Sequence, residues 1–293
     1  MSGVTVGIVT RNRPESLRRC LASLAALGDA LAEIVVVDDH GDVPLDDVLR
    51  RAPAPIRFIR QPRPDGYIVA RNRIVRDAST EIVLLMDDDA ALLPDGNALG
   101  PLALFRAHPG VALIACAMAE PDGSLWHVSM QPAPVDYTCC VASHIGFAHF
   151  IRRSVFLGVG GYRESFFFYG EEKDLCVRML QAGYHVVYMP HVRVVHDVDP
   201  TGRSASRYVR YVVRNDCLFA LYNEPWPLLL VSLPVRLLRF FPMTRGRVDR
   251  GGFLWIVKEL VTQLPAVFAG RRAVSWATVR QWRRLARTWP AFA

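Results

Sequence analysis

Short apolar runs alternate with helical patterns through the first 120 residues. Residues 4–9 read as a buried strand. Pro14 then opens a helix, because its fixed φ suits the first turn, and Leu17, Leu21, Leu24 and Leu27 recur at helical spacing. Residues 34–37 form a second strand, apolar on every side as a parallel strand between helix layers is. Residues 56–59, 81–86 and 111–117 supply three more strands, and residues 66–78 and 94–108 the intervening helices. This order predicts an open α/β sheet with ligands at the carboxyl ends of its strands.

Residues 124–153 are irregular, with Pro132 and Pro134 among short strand-like pieces. Gly160, Gly161 and Tyr162 punctuate the chain. A helix then opens on Glu171, Glu172, Lys173 and Asp174, runs through Leu180 and is closed by Gly183. Residues 185–189 and 192–196 read as short strands. Helices follow at 204–222, about 227–240, 252–269 and 275–288. The predicted division is 1–202, with halves meeting near residue 118, and a helical region from 203 to 293.

A chain of 293 residues suits one large domain or a domain with an appendage. Its 51% hydrophobic content and mean hydropathy of +0.17 sit at the apolar end of soluble proteins. The opening apolar strand, with no basic stretch before it, predicts no signal peptide. Six cysteines without CxxC spacing predict reduced thiols and a cytoplasmic protein. The net charge of +7 conceals an asymmetry: from Arg203 onward there are 16 Lys and Arg against 4 Asp and Glu, while the remainder carries 19 against 24. A basic, apolar tail joined to an acidic body suggests an anionic surface as partner, the inner face of a cell membrane in particular. Residues 226–242 are apolar but broken by Pro234, Arg236 and Arg239. They suit an interfacial amphipathic segment with arginines at headgroup level, or a core helix, better than a span. The aromatics of the tail sit in apolar runs and do not interleave with arginines, so no nucleic-acid partner is expected.

Candidate chemistry concentrates at strand ends. Thr10, the pair Asp38 and Asp39, and the triplet Asp87, Asp88 and Asp89 all fall there. Three adjacent carboxylates repel one another, and a buried strand end holds them where something positive sits. Oxygen ligands suit Mg²⁺ or Mn²⁺, and a carboxylate-held metal commonly carries a phosphorylated substrate. The chain therefore reads as an enzyme acting on a nucleotide-linked or phosphorylated compound.

An ordered series of motifs resembles the family 2 glycosyltransferases of the GT-A fold, especially their bacterial rhamnosyltransferase-like branch. The carriers are VGIVTRN at 6–12, VVVDD at 35–39, ARN at 70–72, LLMDDD at 84–89, GGYRE at 160–164 and YGEEKDLCVR at 169–178, with His196, Arg214 and Asn215. The resemblance extends from about residue 4 to about residue 223. It implies a Rossmann-like mixed sheet with helices on both faces (the nucleotide-diphospho-sugar transferase fold) and a C-terminal helical extension. It also implies a metal-dependent, inverting transfer of sugar from a UDP- or dTDP-sugar donor to an acceptor hydroxyl.

By that resemblance Asp89 and Asp87 are metal carboxylates, Asp88 touches the ribose, and His196 completes the Mn²⁺ or Mg²⁺ site; His191 is less favoured. Thr10, Arg11 and Asp39 belong to the nucleotide pocket. Asp38 is a second candidate, although one of that pair is expected to cap the next turn. Arg71 is either a nucleotide contact or a structural partner of Asp38 or Asp39. Glu171 and Glu172 occupy the catalytic position, with Glu172 as base; aspartate is usual there, so this chain departs by one methylene. Asp174 supports the helix start. Residues 144–149 fall where the family builds the donor-sugar and acceptor floor, and Trp126 and Tyr169 are candidate sugar platforms or core residues. Residues 199–204 suggest a lid, with Arg203 on phosphate. The acceptor implied is lipid-linked or a saccharide, in cell-surface polysaccharide or glycolipid assembly. The alternatives are a soluble natural-product acceptor and a non-catalytic sugar-nucleotide-binding protein.

Overall fold

The computed structural model describes residues 3–94, 96–198, 204–244, 249 and 251–292. Its strands are β1 (Val4–Thr10), β2 (Leu31–Asp38), β3 (Ile56–Arg60), β4 (Ile82–Asp87), β5 (Ala90–Leu92), β6 (Val111–Ala119), β7 (Cys139–Cys140), β8 (Ala148–Arg152) and β9 (His185–His196). They form one mixed sheet in the order β3-β2-β1-β4-β8-β6-β9-β5, with β7 beside β9. The first four strands run parallel; β8 enters antiparallel between β4 and β6, and β6 and β9 are again parallel.

The helices are α1 (Pro14–Ser23), α2 (Asp46–Leu49), α3 (Tyr67–Asp77), α4 (Gly100–Ala107), α5 (Arg153–Gly158), α6 (Glu171–Gln181), α7 (Ala205–Asn223), α8 (Trp226–Leu238), α9 (Phe240–Met243), α10 (Gly252–Gly270) and α11 (Trp276–Leu285). Side chains alternate across a strand. Val35, Val37, Val83 and Leu85 thus join the core layer shared with α3, α6 and α7. Ile34, Val36, Ile82 and Leu84 join the layer under α1 and α4. Both faces are buried, which is why these strands read as continuous apolar runs.

The structure departs from the sequence reading in four places. The leucine stripe leaves the α-helix after Ser23, and Leu24 and Leu27 sit in a 3₁₀ segment, Leu24–Ala30, kinked at Gly28 (φ 49°). The helix expected from Pro94 starts only at Gly100, after a turn in which Asn97 has φ 51°. The irregular stretch contains β8, whose apolar pattern is interrupted by a fully buried histidine, His149. The two strands expected at 185–196 are one, β9, with a register shift where Met189 pairs Cys116 and Arg193 pairs the next residue, Ala117. All six cysteines are free thiols.

The C-terminal helices share the α6 side of the core: Val213, Phe219, Leu229, Ile256 and Val279 belong to the same apolar cluster as Leu175 and Tyr188. The segments Trp226–Met243 and Gly252–Gly270 are long and apolar enough to cross a membrane by length and composition. Each also packs one side on α7. Arg236, expected at headgroup level, turns inward instead. It bonds Glu224 (2.6 Å) and Asp216, and Asp216 also takes Lys173 of α6 and Arg239. A guanidinium in an apolar helix goes where buried carboxylates are, so the outward face of α8 is left without Arg236.

Candidate active site

A cavity of about 410 Å³ opens at the carboxyl ends of β1, β2 and β4, large enough for a nucleoside diphosphate. Val9, Thr10, Arg11, Asp39, Arg71, the three aspartates, Tyr169, Glu172 and His196 all line it. Residues as far apart in sequence as Val9 and His196 thus converge because parallel strands end on one sheet edge.

The strand β4 ends on Asp87, and the three carboxylates separate at once. Asp88 turns inward, accepts from Thr10 Oγ1 (2.7 Å) and pairs with Arg13 (3.3 Å); burial pushes its carboxyl up to about 7. Asp89 meets Arg13 (3.1 Å) and His196 Nε2 (3.3 Å). Asp87 pairs with Arg71 (2.5 Å), and burial still raises its pKa. His196 lies between Phe147 and Trp126, with ring centroids 5.0 and 6.2 Å away and nearly parallel planes. That sandwich fixes the imidazole beside Asp89.

Asp87, Asp89 and His196 offer two oxygens and a nitrogen within 4.8 Å of one another. Two carboxylates and an imidazole fit Mn²⁺, and the buried Nδ1 of His196, with no hydrogen-bond partner among the described residues, leaves its tautomer unconstrained. Mg²⁺ prefers oxygen throughout and suits the set less well. Asp88, turned to Thr10 and Arg13, stands outside this donor group.

Of the paired aspartates on β2, Asp38 makes the turn: its Oδ1 accepts from Gly41 N (2.9 Å), and it does not line the cavity. Asp39 does, accepting from Gln61 Nε2 (2.7 Å) and Gly66 N (3.1 Å). Arg71 partners neither of them, contrary to one expectation. It reaches Asp87, the carbonyl of Gly146 (2.8 Å) and Glu171 (3.7 Å), and lies over the Tyr67 ring at 4.8 Å.

Gly170 opens α6 with φ 85°, and as consecutive helical residues the two glutamates point about 100° apart. Glu171 is fully buried with no hydrogen bond to either oxygen among the described residues. It does not line the cavity, so a direct role on substrate is not supported by its position. Glu172 faces the cavity. Burial raises the pKa of both. Gly146 is the piece that lets them fit: a Cβ there would lie 2.8 Å from Glu172 Oε1 and 3.0 Å from Arg71 Nη1. Asp174, one turn on, is buried and held by Arg163 (3.1 Å), Arg178 (2.6 Å) and Asn223 (2.8 Å), anchoring the helix.

The loop before α6 is strained, with Phe167 at φ 60° and Tyr169 at φ 67°. Asn215 holds it, donating to the carbonyls of Phe166, Phe168 and Tyr169 at 2.9, 2.8 and 2.6 Å. This gives the Arg214-Asn215 motif a physical role that its residue types alone did not reveal.

Other expectations shift. Within 144–149, Ile145, Gly146 and Phe147 line the cavity, while His144 and His149 lie beneath it beside Tyr162. Burial, with Arg71 nearby, pushes His144 down to about 3 and His149 lower than usual as well, so both are neutral. Tyr169 lines the cavity; Trp126 stands behind His196, outside it. His191 is exposed on β9 and away from the cavity. Arg203 and most of the proposed lid lie outside the described residues. Arg13 and Arg207, which the motifs did not single out, also line the cavity. Arg13 was legible as a cation three residues beyond Thr10; nothing local marks Arg207, which arrives from α7.

Residues 5–169 match the profile of Glycosyl transferase family 2. The pre-mycofactocin glycosyltransferase of Mycobacterium tuberculosis is 31% identical over 207 residues, covering 66% of this chain and 42% of that protein. The N-acetylglucosaminyl-diphospho-decaprenol L-rhamnosyltransferase of the same organism is 28% identical over 169 residues, covering 51% of this chain and 53% of that one. The chain spans about half the length of the curated relatives it matches. Among solved structures, the mannosyltransferase PcManGT from Pyrobaculum calidifontis, in complex with GDP-Man and Mn²⁺, superposes with a TM-score of 0.59 at 18% identity, covering 96% of this chain and 78% of that one. That likeness gives the fold, GT-A.

Proposed function

The chain belongs to glycosyl transferase family 2, and on that premise we propose that it is a metal-dependent, inverting glycosyltransferase using a UDP- or dTDP-sugar. The observation that carries this reading is a single cavity holding both the Asp87, Asp89 and His196 donor set and the Glu172 carboxylate, with Arg71 and Gly146 between them. The acceptor we propose is a lipid-linked saccharide, in keeping with the decaprenol-linked substrate named for one relative and with the apolar C-terminal helices. The protein would then work on the cytoplasmic face of a membrane, peripherally bound.

In this reading Asp39, Thr10 and Arg11 face the nucleoside and Asp88 the ribose side. Asp87, Asp89 and His196 would hold Mn²⁺, which when bound supplies positive charge to the departing diphosphate. Glu172 takes the proton of the acceptor hydroxyl. The freed oxygen forms a bond to the anomeric carbon while the bond from that carbon to the diphosphate oxygen breaks. The electron pair leaves with the nucleoside diphosphate, and configuration inverts because attack and departure are on opposite faces. A desolvated carboxylate is a stronger base than one in water, which suits Glu172 to this task. Arg71 keeps Asp87 in place and balances the carboxylates around it.

A thermal-shift panel of nucleoside diphosphates with and without Mn²⁺ tests the proposal. A ligand at a hundred times its Kd stabilises by about 2.7 kcal/mol. One pyrimidine diphosphate should stand out, and only with the metal; a flat panel would remove the nucleotide-sugar reading.

A further inference from the structure

A second cavity, of about 460 Å³, lies beside the first and shares Arg207 with it. Its other walls come from the start of α7, including Arg210 and Tyr211, and from Trp255 of α10. Arg210 is tied to Asp249 (2.9 Å). Arg207 is not paired with any carboxylate among the described residues: its guanidinium lies 4.8 Å from the Phe168 centroid and 5.8 Å from that of Tyr211. A guanidinium resting on aromatic faces at the mouth of two cavities is available to an anion.

Aromatic rings connect the two cavities. Phe168, on the wall of the first, meets Tyr211 edge-on at 5.8 Å, and Tyr211 meets Trp255 at 5.3 Å. Beyond Trp255 the surface turns apolar. Leu254 is 72% exposed, and the stripe continues along α10 through Val261 and Phe268, interrupted by Lys258. Helix α8 adds Leu230, Val231, Val235 and Leu238, and just beyond it Phe241 of α9 packs on Phe253 of α10 at 5.1 Å. With Arg236 turned inward, this face offers an aliphatic chain a long, mostly apolar surface. A second copy of the chain is a poor occupant, because two tails of strong positive charge would repel.

We infer that the second cavity binds the phosphate end of a lipid-phosphate-linked acceptor, with Arg207 on the phosphate, Trp255 against the first units of the lipid and the outward face of α8 and α10 along its tail. An acceptor made of sugar alone would use neither the Arg207 guanidinium nor the apolar face. The inference rests on the glycosyl-transfer reading above and adds where the acceptor lies and what anchors it.

Isothermal titration of the full chain with farnesyl diphosphate, inorganic pyrophosphate and farnesol tests this, in the presence of saturating nucleoside diphosphate and Mn²⁺ so that the first cavity is filled. Farnesyl diphosphate should bind at least about tenfold more tightly than either fragment, the scale of one charge-assisted contact. Arg207→Ala should bring it down to the level of farnesol. Trp255→Ala should bring it down to the level of pyrophosphate, and Leu254→Glu, on an exposed position, should weaken it in the same direction. Equal binding of farnesyl diphosphate and pyrophosphate, or indifference to Arg207→Ala, would overturn the inference. If no nucleoside diphosphate binds, it is the transfer reading that fails; nucleotide binding without farnesyl diphosphate preference refutes the acceptor site alone.

Discussion

Replacing Arg71 by alanine probes the connection between the two halves of the site. The guanidinium is 3% exposed and serves Asp87 (2.5 Å), the Gly146 carbonyl (2.8 Å), Glu171 (3.7 Å) and the Tyr67 ring. Removing it leaves the half-buried Asp87 carboxylate and the buried Gly146 carbonyl without their donor, and the buried Glu171 without a neighbouring cation. Breaking a buried pair from one side costs about 3–5 kcal/mol. At roughly 2–4 °C per kcal/mol for a chain of this class, Tm should fall by about 6–20 °C. The loss should shrink at pH 4, because burial raises the pKa of Asp87, and a protonated carboxyl no longer needs the cation. Arg71→Lys keeps the charge but not the fork, so it should recover part of the stability and lose one of the two short contacts. The assay is differential scanning fluorimetry of the three proteins across pH. A Tm for Arg71→Ala within about 2 °C of the parent at neutral pH would refute the reasoning, as would a penalty that grows on acidification.

Other consequences follow from named contacts. Gly146→Ala places a Cβ against Glu172 Oε1 and Arg71 Nη1, so kcat should fall at least about tenfold while nucleoside diphosphate affinity changes little; unchanged turnover would remove Gly146 from the argument. Glu172 works ionised, and burial raises its pKa, so activity falls as pH drops through that raised value. The acid limb of kcat/KM should therefore lie above the ordinary glutamate range of about 4.3, and a limb at or below it would contradict the assigned cause. Glu171 also has a raised folded pKa, which means its stabilising contribution is present at low pH and lost as pH rises through that value. Glu171→Gln should gain Tm relative to the parent at pH 9 and not at pH 5; a pH-independent difference would count against a protonated Glu171.

The strands and the acidic triplet were legible because parallel strands buried on both faces leave uninterrupted apolar runs, and their carboxyl ends collect chemistry. What escaped was set by distant partners. His149 broke the apolar pattern of β8 because its polarity is answered by Tyr162, thirteen residues away in sequence. Arg236 looked like a headgroup cation until Asp216 and Glu224 were placed beneath it. Asp38 and Asp39 are chemically alike in the sequence; only the Gly41 turn and the Gln61 contact separate the structural one from the one that faces the cavity. Glu171 and Glu172 likewise differ only by which way the first turn of α6 points, and Gly170 sets that.

The central claim is that this cavity binds the donor through one group of residues and deprotonates the acceptor through another. Glu172→Gln tests it most directly when nucleoside diphosphate binding with Mn²⁺ and sugar transfer are measured on the same preparation. The account predicts binding at parental affinity and transfer slowed by about a hundredfold to ten-thousandfold, the usual worth of a positioned base. Transfer at the parental rate, or loss of nucleotide binding together with transfer, would contradict it.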